Sequence, residues 1–249
     1  MKSIFVPFVC VLSFQAAAES DRLADLQYYL CDKPHAVRDA LDLKKSDAEE
    51  RQVYLFETSK LDLFQLGWQI RLRVKDKKSN ISIKRFDLTE AQFVREQKET
   101  DGKCEMDVHG KGQIHVLSCS KDSKLSNDDA KKLISGEMKL ADALSEAQRR
   151  ALFDEGIDLS KLNSKVKALG PIESRAWDFE SVDIDDGLAL EQQTLPDGTR
   201  YIEFSVKTKS SKLSKEISAA ERLFQAKGLS LCPDQTGQRE GKLQALLKQ

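Results

Sequence analysis

Beyond its first eighteen residues this chain has no apolar run long enough to cross a membrane as a helix, so a helical membrane protein is excluded. It has no excess of either charge. Forty basic against 41 acidic residues leave a formal net charge of −1, which argues against a general nucleic-acid binder. Internal repeats, low-complexity tracts and an evident linker are also missing, which leaves one large domain of ordinary apolar content. Only three histidines occur (His35, His109 and His115), and with the cysteines they complete no zinc-ligand spacing. Any anion or metal site must therefore be assembled locally by the fold.

Residues 1–18 carry Lys2, an apolar segment at 4–14, and Ala16, Ala17 and Ala18 before Glu19, the pattern of a cleaved secretory signal. Cys10 does not sit in a lipid-attachment pattern. A soluble exported protein is expected, secreted and best suited to a bacterial periplasm, with 19–249 as a single domain. Four cysteines then remain, Cys31, Cys104, Cys119 and Cys232, an even number for an oxidising compartment. Cys104 and Cys119 flank the turn signal Gly110-Lys111-Gly112. A loop centred there sets them opposite each other across two strands, predicting one disulfide and leaving Cys31 with Cys232 by elimination.

Four short stretches alternate charged and apolar residues: Ile70-Arg71-Leu72-Arg73-Val74, Ile81-Ser82-Ile83-Lys84, Cys104-Glu105-Met106-Asp107-Val108 and Ile202-Glu203-Phe204-Ser205-Val206-Lys207. Successive strand residues point to opposite faces, so Arg71 lies with Arg73, Glu105 with Asp107, and Glu203 with Lys207. Facing outward, these charges make an ordinary solvated sheet surface. Facing inward in a closed barrel, they make a polyvalent site for a metal-bound polyanion.

Strands are expected at 24–30, 53–58, 69–75, 80–86, 103–109, 113–118, 172–179, 188–193 and 200–207. Thr58 and Ser59 cap a short turn carrying Leu61, Leu63 and Leu66, and Gly67 ends it. A short helix is expected near 37–41. A helical stretch at about 126–165 opens on Ser126-Asn127-Asp128-Asp129 and reads as an insertion between strand groups. A last helix shows Leu213, Ile217, Ala220 and Phe224 on one face and stops at Gly228. Trp177 and Phe179 are expected in the core, and His109 and His115, beside a hairpin turn, at the surface.

The run Phe56-x-Thr58-x-x-Leu61-x-Leu63-x-x-x-Gly67-x-x-Ile70-Arg71-Leu72-Arg73 resembles the central signature of the CYTH superfamily, the triphosphate tunnel metalloenzymes. Ser82-Ile83-Lys84, Glu105-x-Asp107, Ser174-Arg175, Leu190-Glu191 and Ile202-Glu203-x-Ser205-x-Lys207 follow in the family's order, and the resemblance spans roughly 24–226. It implies an α+β fold, an antiparallel β-barrel tunnel with flanking helices and a charged inner wall. Arg71, Arg73, Lys84 and Arg175 would grip phosphate, with Lys207 able to join them, because charge-assisted hydrogen bonds suit a polyanion. Glu105, Glu191 and Glu203 would hold Mg²⁺ or Mn²⁺, hard cations that take charged oxygen ligands. The ligand would be a phosphorylated small molecule or polyphosphate.

The chain also departs from the family. The first strand of the family carries two glutamates and a lysine at alternate positions, where Asp25, Gln27 and Tyr29 stand here. Ser205 stands where a second acid follows Glu203. Two readings result: a divalent-metal-dependent phosphoanhydride hydrolase, or a non-catalytic binding or scaffold protein on a degenerate tunnel.

Overall fold

The alternating strands close on themselves. The computed structural model describes residues 21–248 apart from 100–101, 113, 163–164, 183 and 237, so the expected signal at 1–18 lies outside the described residues. Its strands are β1 Leu23–Tyr29, β2 Glu49–Glu57, β3 Trp68–Val74, β4 Ser79–Arg85, β5 Lys103–His109, β6 Ile114–Leu125, β7 Lys167–Ser181, β8 Ile184–Thr194 and β9 Arg200–Lys209. They form a closed barrel in the order β1-β5-β6-β4-β3-β2-β7-β8-β9. Every neighbouring pair is antiparallel except β1 with β5. The barrel is therefore mixed at one seam. β1 and β5 are distant in the chain, so no tight hairpin dictates their direction.

Closure sorts the alternation into two faces. Leu26 and Tyr28 of β1, Ile70 and Leu72 of β3, Ile81 and Ile83 of β4, and Phe204 and Val206 of β9 point outward and are buried. Helices cover them: α1 Pro34–Ala40, α2 Asp62–Gln65, α3 Glu90–Glu99, α4 Asn127–Ser135, α5 Leu140–Ala143, α6 Glu146–Asp154, α7 Leu159–Leu162, α8 Leu213–Lys227 and α9 Arg239–Leu247. α8 packs Leu223 and Phe224 on β1, β8 and β9, where Phe224 meets Tyr28 and Phe204 edge-on with ring centroids 5.0 Å apart in each pair. Trp177 is in this core, with Phe179 packed against it, as expected. α4 to α7 cover β3 and β4. Each fully buried aliphatic side chain in these layers contributes about 1.5–3 kcal/mol. Most of the hydrophobic core lies outside the barrel, and its inside is left largely to polar groups.

Helices at 127–162 occupy the expected insertion, but as four short ones. Gly136 takes a left-handed φ of +81° at the end of α4, and Ser145 opens α6 with a capping box to Gln148. α3 and α9 were not anticipated. The turn after β2 is held by Glu57, whose carboxylate accepts the backbone N–H groups of Thr58, Leu63 and Phe64 at 2.8, 3.0 and 2.8 Å. Gly67, at φ +77°, leaves this turn where a Cβ would come within 3.1 Å of the Phe86 carbonyl.

Both disulfides are formed, Cys104–Cys119 and Cys31–Cys232. Cys104 and Cys119 are register partners on β5 and β6, roofed by Leu88 and Phe93. Replacing both with serine is expected to destabilise the fold by about 3 kcal/mol, since the bond closes a short loop. Urea unfolding at fixed pH checks this, with the loss seen as a lower midpoint and, because the unfolded chain is less constrained, a slope no smaller than that of wild type.

Candidate functional site

The inward-facing residues enclose a cavity of about 280 Å³. Asp25, Gln27 and Tyr29 of β1, Arg71 and Arg73 of β3, Lys84 of β4, Glu105 and His109 of β5, Glu191 of β8, and Glu203, Ser205 and Lys207 of β9 all line it. Strand parity is the cause, as each set sits at alternate positions. Most of the residues expected in the grip and on the acidic wall are thus brought to one chamber.

One side of the chamber is internally neutralised. Asp25 and Asp107 are register partners across the parallel seam, and Asp25 is also opposite Lys207. The Lys207 ammonium donates to Asp25 and lies 3.4 Å from Glu105. Lys84 lies 2.8 Å from Asp107 and 3.6 Å from Glu105, and Arg239 donates to Asp107 at 2.7 Å. Burial pushes the Glu105 carboxyl up, but Lys207, Lys84 and Lys103 outweigh it and hold it down to about 2. Burial likewise opposes the Lys207 charge, and Asp25 and Glu105 raise its pKa nonetheless. For Asp25 burial wins and the pKa rises.

The opposite wall is not neutralised. Among the described residues no carboxylate lies within ion-pair distance of Arg71 or Arg73, and the Arg71 Nε is buried without a hydrogen-bond partner. Desolvation, with Arg71 and Arg51 close by, pulls Arg73 down to about 9, and desolvation lowers Arg71 as well. Both guanidiniums lack a direct ion-pair partner, and the cavity-lining Glu191 and Asp122 favour their charge only from beyond that distance. Their β2 neighbours across the sheet, Leu55 and Val53, are apolar.

Glu105 meets Asp25 and Asp107, whose oxygens lie within 4.8 Å of one another in a buried set of carboxylates. Three hard oxygen donors suit Mg²⁺ or Mn²⁺. Glu191 and Glu203 do not join them. They are register partners on β8 and β9, and Glu191 accepts from Ser174 at 2.6 Å and pairs with Arg51 at 3.2 Å. Burial raises Glu191, yet Arg51 and Ser174 bring it down to about 2. Glu203, beside Tyr29 and lacking such a partner, is raised by desolvation.

Two expectations need correcting. Arg175 does not enter the cavity. It follows the inward Ser174, so parity turns it outward, where it pairs with Glu50 at 2.8 Å. The cation beside Ser174 is Arg51, just before the expected strand. His109 is 2% exposed and faces the chamber, both ring nitrogens without partners, and desolvation lowers it to about 4. The expected strand already ends on His109, on the face of Glu105 and Asp107, and closure of the barrel turns that face inward. His115 is exposed as expected.

Two further cations come from α9. Arg239 and Lys242 reach the cavity, while Leu243 and Leu246 of the same helix pack on Val53, Leu55, Leu169 and Ile172. No signature marked this segment; the apolar spacing of Leu243 and Leu246 after Cys232 was the available signal.

No family sequence profile and no curated protein matches the chain. Solved structures do. A candidate adenylate cyclase of Bacillus halodurans is 15% identical, with 88% of this chain and 96% of that one covered at TM-score 0.58. An adenylyl cyclase candidate of Hippeastrum with dominant triphosphatase activity is 16% identical, with 90% and 96% covered at TM-score 0.63. The likeness is one of fold. This chain has the closed barrel of the CYTH-like tunnel proteins.

Acid stability should follow the two depressed carboxyls. Glu105 and Glu191 sit near pKa 2 against an ordinary 4.5, so their stabilisation is present above pH 4.5 and lost as pH falls toward 2. Glu191→Gln is expected to lose less stability than wild type between pH 5.5 and 3, measured by denaturant unfolding. Glu203, whose pKa is raised, contributes the opposite sign, and Glu203→Gln is expected to be more stable than wild type at pH 7.

Proposed function

We propose that this protein is exported and binds a short phosphorylated polyanion in its tunnel as a complex with a divalent cation. We further propose that it hydrolyses a phosphoanhydride of that ligand. One observation carries the reading: Arg71 and Arg73 are buried in the chamber with no carboxylate paired to them directly, Glu191 and Asp122 acting only from a distance, at a cost that a bound polyanion would offset. The carboxylates of Asp25, Glu105 and Asp107 support a cation site facing them. The two disulfides and the pattern at 1–18 support an oxidising, periplasmic setting.

Arg71 and Arg73 would bind and orient non-bridging phosphate oxygens, with Lys84 and Lys207 between them and the acids. Bound Mg²⁺ or Mn²⁺ would supply charge stabilisation on those oxygens and lower the pKa of a coordinated water. In hydrolysis the bridging P–O bond breaks, water supplies the new P–O bond, and its proton passes to a wall carboxylate or to solvent. Hydrolysis is preferred to adenylate cyclisation because an exported enzyme has no evident ATP supply. The triphosphatase activity of the Hippeastrum protein points the same way.

A second reading, a non-catalytic binder or scaffold, also rests on an observation. Lys84, Lys207 and Arg239 already neutralise the acid cluster, and Gln27, Tyr29 and Ser205 stand where the family carries charge. Tripolyphosphate binding and turnover with and without Mg²⁺ or Mn²⁺ separate the two. Arg71→Ala/Arg73→Ala is expected to lower tripolyphosphate affinity on the order of a hundredfold or more. Its thermal midpoint should not fall, because uncompensated buried charge is removed. Metal-dependent turnover lost in that variant supports the enzyme, and binding without turnover supports the second reading. A folded wild type that neither binds nor turns over tripolyphosphate, polyphosphate or nucleotides would overturn both.

A further inference from the structure

α9 is a nine-residue helix, too short to be stable alone, yet it carries Lys242 into the chamber. The Lys242 ammonium donates to the Gln193 side chain at 2.7 Å and lies 4.8 Å and 5.7 Å from the ring centres of Tyr201 and Tyr29. Among the described residues it has no carboxylate within ion-pair distance, which sets it with Arg71 and Arg73 rather than with Lys84, Lys207 and Arg239. Desolvation lowers its pKa, while Glu203 and Glu191, beyond ion-pair distance, act the other way.

What holds α9 there is a clamp on the end of β1. Cys232 is bonded to Cys31, 201 residues away in sequence, and its N–H donates to the Tyr29 carbonyl at 2.8 Å. The Gln235 side chain accepts from the Tyr29 N–H at 2.9 Å and donates to the Tyr29 carbonyl at 2.8 Å. The fit extends to the β5–β6 turn, where a Cβ on Gly110 would come within 3.0 Å of the Gln235 Cβ. Backbone, side-chain and covalent ties thus converge on the strand end that carries Tyr29.

We infer that Lys242 is a ligand-contacting cation that completes the anion grip from outside the barrel, and that the Cys31–Cys232 bond sets ligand affinity by keeping α9 in the mouth. The inference rests on the polyanion reading above and adds to it which cation is supplied by the tail and what keeps it in place. A short linker confines the helix near its seat only while its anchor holds, and freeing that anchor lowers its effective concentration at the mouth.

Calorimetric titration of the full chain with tripolyphosphate tests this. Lys242→Met is expected to weaken binding about tenfold and Lys242→Arg to restore most of it, because a guanidinium keeps the charge. Cys31→Ser/Cys232→Ser should weaken binding similarly, whereas Cys104→Ser/Cys119→Ser, which leaves the tie between the tail and β1 intact, should bind as wild type when near-ultraviolet circular dichroism shows it folded. Wild-type affinity in Lys242→Met overturns the role of Lys242, whether or not the serine pair folds. Wild-type affinity in a folded Cys31→Ser/Cys232→Ser protein overturns the role of the bond. Absence of tripolyphosphate binding by wild type itself would instead overturn the polyanion reading and the inference with it.

Discussion

Charge shut inside a closed sheet is the constraint on which this structure depends. Once the barrel closes, each alternation of Arg71-Leu72-Arg73 or Glu105-Met106-Asp107 puts one residue into the chamber and the next under a helix. The interior cannot supply a hydrophobic core, so the apolar burial that stabilises the fold is moved outside, beneath α8 on one flank and α4 to α7 on another. The charged interior in turn has to be paired, solvated or reserved for a ligand, because isolated buried charge is costly.

The chamber uses two of these solutions in different places. Around the β1–β5 seam Asp25, Glu105 and Asp107 share Lys84, Lys207 and Arg239, and the group is close to internally neutral. On β3 Arg71 and Arg73 have no such company. Of the acids that act on these arginines, Glu191 is engaged directly by Arg51 and Ser174, and Asp122 stays beyond ion-pair distance. The imbalance is the feature on which the proposed anion site rests.

The tail changes the character of one mouth. Val53, Leu55 and Ile172 face inward and would be poorly placed in an open aqueous tunnel, but they seat Leu243 and Leu246. The apolar inner face of β2 and β7 and the apolar face of α9 explain each other. With α9 seated, Arg239 is beside Asp107, and Lys242 lies over Tyr29, at the position where related first strands carry a lysine.

Strand parity is a local property, so the sequence by itself determined which residues share a face: Arg71 with Arg73, Glu105 with Asp107, Cys104 opposite Cys119. It also carried the signature at 56–73 that pointed to a tunnel fold. It did not determine whether those faces point in or out, since an alternating strand reads the same on an open sheet and in a barrel; closure decided that. Nor could it place Arg175, for which one position of strand phase reverses the answer, or His109, whose face is turned inward only when the barrel closes. The grouping of Asp25 with Asp107 needed the parallel seam, which joins segments about eighty positions apart, and Lys242 enters from a tail that a disulfide spanning 201 residues ties to the segment after β1. These contacts depend on long-range closure, and no local pattern encodes the distance between segments that meet only when the chain is folded.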